Sequence, residues 1–251
     1  MLPSAYDLKE YYATPQGQGV LNLLLKRFGA WWPDRELDGD TMIGAGYALP
    51  YLERCAGPRG LYALLPGEMG ALVWPNSGRQ RCMLSEPHAW PLPPASVDYI
   101  VMVHALEYAV DAGDMMEEAW RTLKPEGRLI IVVPNRTGLW ARAEKTPFGH
   151  GRPFTHTQLH DLLRDHNFSL ERMTGALLAP PWRKAMLVEK VSPVIEALAP
   201  MCAPLCGAIV AEASKRLYSP IRGKPQKVSK PVLVWGEAAS AAPFRKVKHE
   251  L

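Results

Sequence analysis

Residues 97–133 carry the feature that most narrows the folds open to this chain. Residues 97–103 (VDYIVMV) form a nearly unbroken apolar run of strand length, the pattern of a strand covered on both faces. Met115, Met116, Ala119, Trp120 and Leu123 then recur at helical spacing, with Asp114 placed to cap the helix start and residues 125–127 (PEG) to stop it. Residues 128–133 are apolar and β-branched again. Strand, helix and strand in that order predict a right-handed crossover between parallel neighbours. The chain is therefore expected to be α/β.

The flanking sequence extends the same alternation. Residues 40–43 read as a strand that runs into Gly44, Ala45 and Gly46, followed by a helical stretch through Leu49, Leu52 and Cys55 to the Gly57–Pro58 break. Residues 61–65 and 81–84 read as two further strands, 155–166 as a helix, 168–178 as a strand, and 207–214 as the last strand. Val20, Leu23, Leu24, Arg27 and Phe28 predict one amphipathic helix within residues 4–30, ahead of the sheet, and 182–199 a helical insert broken at Pro193. Glycines directly after a first strand let the backbone approach a ligand closely, with the positive end of the next helix nearby.

Composition restricts the class of partner. Of 251 residues, 47% are hydrophobic and four are cysteines, scattered at 55, 82, 202 and 206, so neither a disordered chain nor a disulfide scaffold is expected. Asp7, Lys9 and Glu10 precede any apolar stretch, which argues against a secretion signal. The most apolar stretch, 191–213, is interrupted by Pro193, Pro200, Pro204, Glu196 and Glu212, which argues against a membrane span. A cytoplasmic protein is expected. Residues 215–251 hold nine basic and two acidic side chains, so the overall charge of +4 comes from a basic tail on a mildly acidic body. Such a tail is either solvated or a weak tether to nucleic acid, anionic lipid or an acidic partner such as a protein. His156 and His160 stand four apart on one helical face with Asp161 beside them, a spacing that can hold a metal, but a surface pair is the expected reading and no metal is expected.

Three segments carry a specific resemblance: 91–98 (PLPPASVD), 104–108 (HALEY) and 123–129 (LKPEGRL). Together with the glycine turn at 43–46 (IGAG), they resemble the class I S-adenosylmethionine-dependent methyltransferases, most closely the small-molecule kind called type 11, over about residues 37–215. The resemblance implies a Rossmann-like seven-stranded sheet, mostly parallel with an antiparallel last strand and helices on both faces. It implies three regions: an N-terminal helical lid segment (1–36), a methyltransferase domain (37–215, with its insert at about 182–199) and a basic C-terminal tail (216–251). The implied cofactor is S-adenosylmethionine, and the implied acceptor is a small molecule.

Carried over residue by residue, the resemblance assigns Gly44, Ala45 and Gly46 to the turn under the methionine part of the cofactor, and Glu86 to the place that accepts a hydrogen bond from the adenine amino group. His104, at the carboxyl end of the fourth strand, falls where cofactor and acceptor meet, and is the candidate for both cofactor contact and general base. Tyr11, beside Tyr12, belongs to a segment able to close over the cofactor. Two acidic positions of the family are missing here: Leu64 or Leu65 stands where an acid binds the ribose, with Glu68 the nearest substitute, and Met42 stands two before the first glycine. These departures keep a second reading open, a non-catalytic methyltransferase-fold protein that binds a protein partner. Arg136, His150 and Arg152, in the loops after the fifth strand, could receive an anionic acceptor. The Asn/Asp-Pro-Pro-aromatic signature of nucleic-acid amine methylation is absent after the fourth strand, which argues against a DNA base as target.

Overall fold

A computed structural model describes residues 2–29, 31, 40–54, 60–182, 184, 187–199 and 201–216. Expectations that fall on Cys55, the Gly57–Pro58 break and the tail beyond 216 lie outside these residues. By its internal contacts the chain divides into Met1–Leu217 and Tyr218–Leu251, and the account below concerns the first unit.

Seven strands form one sheet: β1 (Thr41–Gly46), β2 (Gly60–Pro66), β3 (Cys82–Ser85), β4 (Val97–Val103), β5 (Leu123–Pro134), β6 (Ser169–Ala176) and β7 (Ala208–Ser214). Their order is β3-β2-β1-β4-β5-β7-β6. The β1–β2, β2–β3, β1–β4 and β4–β5 pairs are parallel, and β7 runs antiparallel to both its neighbours. The reversal between β1 and β4 leaves a crevice at the carboxyl ends of the strands, where open α/β sheets bind ligands.

The period of two along each strand divides the apolar residues between two cores. Met42, Val101, Val103, Ile130, Val132 and Val210 face one layer, which holds α1 (Ala5–Ala13), α2 (Pro15–Gly29) and α3 (Leu49–Leu52) through Leu8, Leu24, Phe28 and Leu52. Ile43, Ile100, Met102, Leu129, Ile131 and Ile209 face the other, which holds α4 (Ala112–Thr122) and α5 (His156–Asp165) through Met116, Ala119, Leu159 and Leu163. Central strands buried on both faces explain why β4 and β5 read as continuous apolar runs.

Four local readings differ from the structure. The N-terminal segment is two helices, because Thr14 adopts extended geometry and closes α1. A capping box between Ser4 and Asp7 starts α1. Asp111, whose side chain accepts from the Gly113 N–H, caps α4 in place of Asp114, and α4 stops at Thr122, so that residues 125–127 lie inside β5. In the insert, a π-helical turn (Leu187–Val191) passes into α6 (Ser192–Glu196), and Pro193 sits in the first turn of α6, where a missing N–H costs nothing. Lys215, counted by sequence with the basic tail, instead donates to the carbonyls of Trp120 (2.6 Å) and Leu123 (2.7 Å) at the carboxyl end of α4. Its burial holds the ammonium below the ordinary lysine pKa.

Candidate functional site

The site is built from the carboxyl ends of β1, β2, β3 and β4. At the end of β1, Gly46 has φ +73°, and a Cβ there would lie 2.5 Å from the Val103 carbonyl, 2.6 Å from the His104 carbonyl and 2.7 Å from Ala105 Cβ. The glycine is demanded by the close passage of β1 against the end of β4. Gly44 faces α3, with a Cβ landing 2.8 Å from both Ala48 Cβ and Leu52 Cδ1. Both glycines are packed against neighbouring atoms, and Ala45, Tyr47 and Ala48 are buried.

A ligand-sized opening lies at the carboxyl ends of β2, β3 and β4. A cleft of about 310 Å³ is lined by Pro66, Gly67 and Glu68 after β2, by Glu86, Pro87 and His88 after β3, and after β4 by Ala105, Tyr108 and further residues to Met115, with Leu2 closing it from the N-terminal side. That volume is at the small end of the range for small-molecule sites. Leu64 and Leu65 point into the two cores, one each, so at the end of β2 the carboxylate that reaches the cleft is Glu68. Gly67 brings the two loops together: a Cβ there would stand 3.3 Å from Glu86 Oε1. Glu68 and Glu86 thus place acceptor-only oxygens on adjacent strand ends.

His104, which precedes the cleft-lining Ala105, is 1% exposed and has the unusual φ of +51°. Its Nδ1 is 3.1 Å from Glu107 Oε1, and the Ala105 N–H donates to Glu107 Oε2 at 3.2 Å. Both carboxylate oxygens accept, so the imidazole Nδ1–H donates and Nε2 carries the lone pair. Tyr12 Oη lies 2.9 Å from that Nε2, and Tyr51 Oη 2.8 Å from Tyr12 Oη. The proton order that satisfies all four groups runs from Tyr51 to Tyr12 to His104 Nε2, with Nδ1–H to Glu107. Aromatic rings enclose the chain of groups: Phe148 stands edge-on to His104 at 4.9 Å, Tyr47 stacks on Tyr12 at 5.8 Å, and Tyr51 meets Tyr12 edge-on at 5.8 Å. Desolvation pushes the Tyr12 and Tyr51 phenols well above the ordinary tyrosine pKa.

Of the residues assigned to the site, Glu86 lines the cleft, whereas neither His104 nor Tyr11 is among its lining residues. Tyr11 packs edge-on against Tyr12 at 5.3 Å, and its hydroxyl is buried with no hydrogen-bond partner. Tyr12, its neighbour, is the residue that reaches His104. The spacing of Ala5, Leu8 and Tyr12, the buried face of α1, is the signal that separates the two tyrosines. Arg136 and Arg152 are engaged locally, donating to the carbonyls of Pro153 (3.0 Å) and Val110 (3.3 Å). The Arg152 N–H also donates to the Glu107 carbonyl at 2.7 Å, which ties the loop after β5 to the base of the site.

A seven-stranded sheet in the order β3-β2-β1-β4-β5-β7-β6 with a reversed β7, glycines within the end of β1 and a cleft at the carboxyl ends of β2, β3 and β4 make this a class I methyltransferase fold. Residues 43–131 match the sequence family described as "Methyltransferase domain". A probable S-adenosylmethionine-dependent methyltransferase of Mycolicibacterium smegmatis is 32% identical over 87 residues, 34% of either chain. One from Mycobacterium tuberculosis is 33% identical over 95 residues, 37% of this chain and 34% of its own. The chain thus spans about a third of the length of the curated relatives it matches. Among solved structures, a SAM-dependent methyltransferase from Aquifex aeolicus superposes with a TM-score of 0.55 at 19% identity, covering 84% of this chain and 98% of its own. Another from Thermotoga maritima superposes with a TM-score of 0.55 at 17% identity, covering 83% and 94%. These likenesses show the fold. Among the described residues no helix is long and apolar enough to cross a membrane.

Proposed function

We propose that the protein is an S-adenosylmethionine-dependent methyltransferase acting on a small-molecule acceptor. The observation that carries this reading is the cleft bordered by Glu68 and Glu86, whose lining apart from Leu2 falls within residues 43–131. An adenosyl group presents an amino group and two ribose hydroxyls as donors, and the cleft offers carboxylate acceptors from the ends of β2 and β3. The residues fit. Glu86 would hold the amino group and Glu68 the ribose, which supplies the acid that Leu64 and Leu65 cannot. When bound, the cofactor supplies an electrophilic methyl group on a sulfonium.

The chain's own part is orientation, desolvation and proton transfer. Glu107 accepts from His104 Nδ1, which leaves Nε2, met by Tyr12 Oη at 2.9 Å, as the basic nitrogen that would take a proton from the nucleophile. Tyr47, Tyr51 and Phe148 keep water away from the base. Calorimetric titration with S-adenosylmethionine and S-adenosylhomocysteine tests the reading: saturable binding is expected, weakened about tenfold or more by Glu68→Ala or Glu86→Ala, each of which removes hydrogen bonds to a charged acceptor worth about 1.5–3 kcal/mol. No heat at millimolar ligand would overturn it and leave the non-catalytic, partner-binding alternative.

A further inference from the structure

A second opening, of about 350 Å³, is separate from the cleft that holds Glu68 and Glu86, and the two linings share no residue. Gln16, at the start of α2, forms one side of it. The loop after β5 supplies Arg142, Glu144, Lys145 and Thr146, and Pro181 comes from the start of the insert. Hydrogen bonds fix the shape of the loop. The Thr146 N–H and hydroxyl both donate to the Ala143 carbonyl, at 2.8 and 3.0 Å, and the Gly149 N–H donates to the Thr146 carbonyl at 3.0 Å. Tyr108 Oη donates to the Pro147 carbonyl at 2.8 Å. A Cβ on Gly149 would lie 2.3 Å from the Ala143 carbonyl, so only glycine lets the loop close on itself. Arg142 and Lys145 therefore stand on a preformed turn.

The polar groups around this opening lack acceptors and counter-charges. Gln16 is 7% exposed, and its Nε2 is buried with no hydrogen-bond partner, although buried donors in folded proteins are nearly always paired. The last torsion of a glutamine is broad, so the carboxamide can turn its N–H toward a group seated in the opening. Arg142 and Lys145 are exposed, and among the described residues neither makes an ion pair or a side-chain hydrogen bond. Glu144 is unpaired as well, so the loop sets two cations against one carboxylate. The 15-residue helix α2 carries no acidic side chain in its first turn. Pro15 has no N–H, and Thr14 takes the N–H groups of Gly17 (3.0 Å) and Gln18 (2.9 Å). The positive end of α2, where Gln16 sits, thus has no charge to offset it.

We infer that this opening binds a small molecule through an anionic oxygen group, a carboxylate or a phosphate ester. Such a group accepts from the Gln16 carboxamide, takes the guanidinium fork of Arg142 and meets the Lys145 ammonium as a point charge. A neutral ligand would leave the two cations and the helix end without a counter-charge, and a cationic one would be repelled by them. The site does not depend on the methyltransferase reading, because its ligand is held without the cofactor cleft.

The test titrates the full chain, without cofactor and at constant ionic strength, with phenyl phosphate, benzoate and the neutral benzyl alcohol. Calorimetry is expected to show at least one of the two anions bound about tenfold more tightly than the alcohol, the value of one hydrogen bond to a charged group. Whichever anion binds more tightly identifies the ligand group as phosphate or carboxylate. Gln16→Met keeps the length of the side chain and removes its amide, and Arg142→Ala removes the fork; each is expected to weaken that anion about tenfold. Anions bound no better than the alcohol would overturn the inference. So would an anion affinity unchanged in either variant, which would mean attraction to basic side chains elsewhere, such as those of the tail. Should Gln16→Met fail to fold, Gln16→Glu keeps the size and places a like charge in the opening: anion binding is expected to be lost, and its survival would refute the site.

Discussion

Replacing Glu107 by glutamine tests the architecture around His104 without changing side-chain volume. Glu107 is 1% exposed and accepts two hydrogen bonds, one on each oxygen, from His104 Nδ1–H and from the Ala105 N–H. A glutamine has one oxygen and one NH₂. If its oxygen serves His104, the NH₂ opposes the Ala105 N–H; in the flipped orientation it opposes Nδ1–H, and the ring must exchange its proton to Nε2. Either way one buried donor goes unpaired or the imidazole changes tautomer, and the cost is that of one unsatisfied buried group, about 1–3 kcal/mol. At about 2 kcal/mol, a folded unit of this size should melt about 4–8 °C lower. Urea unfolding measures the energy, and nitrogen-15 NMR of the imidazole reports the tautomer: Nδ1–H in the original chain, and a mixture or Nε2–H in the variant. A variant with unchanged stability and an unchanged tautomer would show that Glu107 does not hold the ring.

Three further outcomes follow from other contacts. Gly46→Ala should cost about 3 kcal/mol or more in urea unfolding, because a left-handed residue acquires a Cβ that meets two backbone carbonyls within 2.6 Å; a loss below about 1 kcal/mol would mean the β1–β4 junction yields freely. Glu196 lies in α6, where its carboxylate accepts from the N–H groups of Leu177 (2.9 Å) and Leu178 (2.8 Å) and stands 3.5 Å from Arg27; Glu196→Ala should destabilise by about 2–4 kcal/mol, and a change under 1 kcal/mol would show that the insert is not pinned to the end of β6. Burial holds the His156 pKa below its ordinary value, and its Nε2 has no partner. The unfolded chain then takes up this proton first as pH falls below about 6.5, so this contribution to stability is present above that pH and lost toward the lower folded value. His156→Gln should flatten stability between pH 6.5 and 5 in denaturant titrations, and an unaltered slope would rule out that source.

Much of the sheet was legible before any coordinates. Strands buried on both faces must be apolar throughout, so β4 and β5 stand out in residues 97–103 and 128–133, and their connection follows from handedness. Element ends were less legible. Which of Asp111 and Asp114 caps α4 depends on where the backbone turns extended, and the two are separated by less than one helical turn. The break at Thr14 leaves no glycine or proline ahead of it, since Pro15 already belongs to α2.

For the site, the amino-acid sequence by itself determined the chemistry on offer: a glycine turn after β1, Glu86 after β3, and His104 with Glu107 after β4, all within segments whose pattern resembles one family. Tertiary structure alone decided which groups meet. It put Glu68 rather than Leu64 or Leu65 in the cleft, closed Gly44 and Gly46 against α3 and β4, and chose Tyr12 over Tyr11 to reach across 92 positions of chain to His104. The physical reason is that pattern and propensity act over a few residues, whereas a hydrogen bond between distant groups exists only once burial has set the distance and removed the competing water.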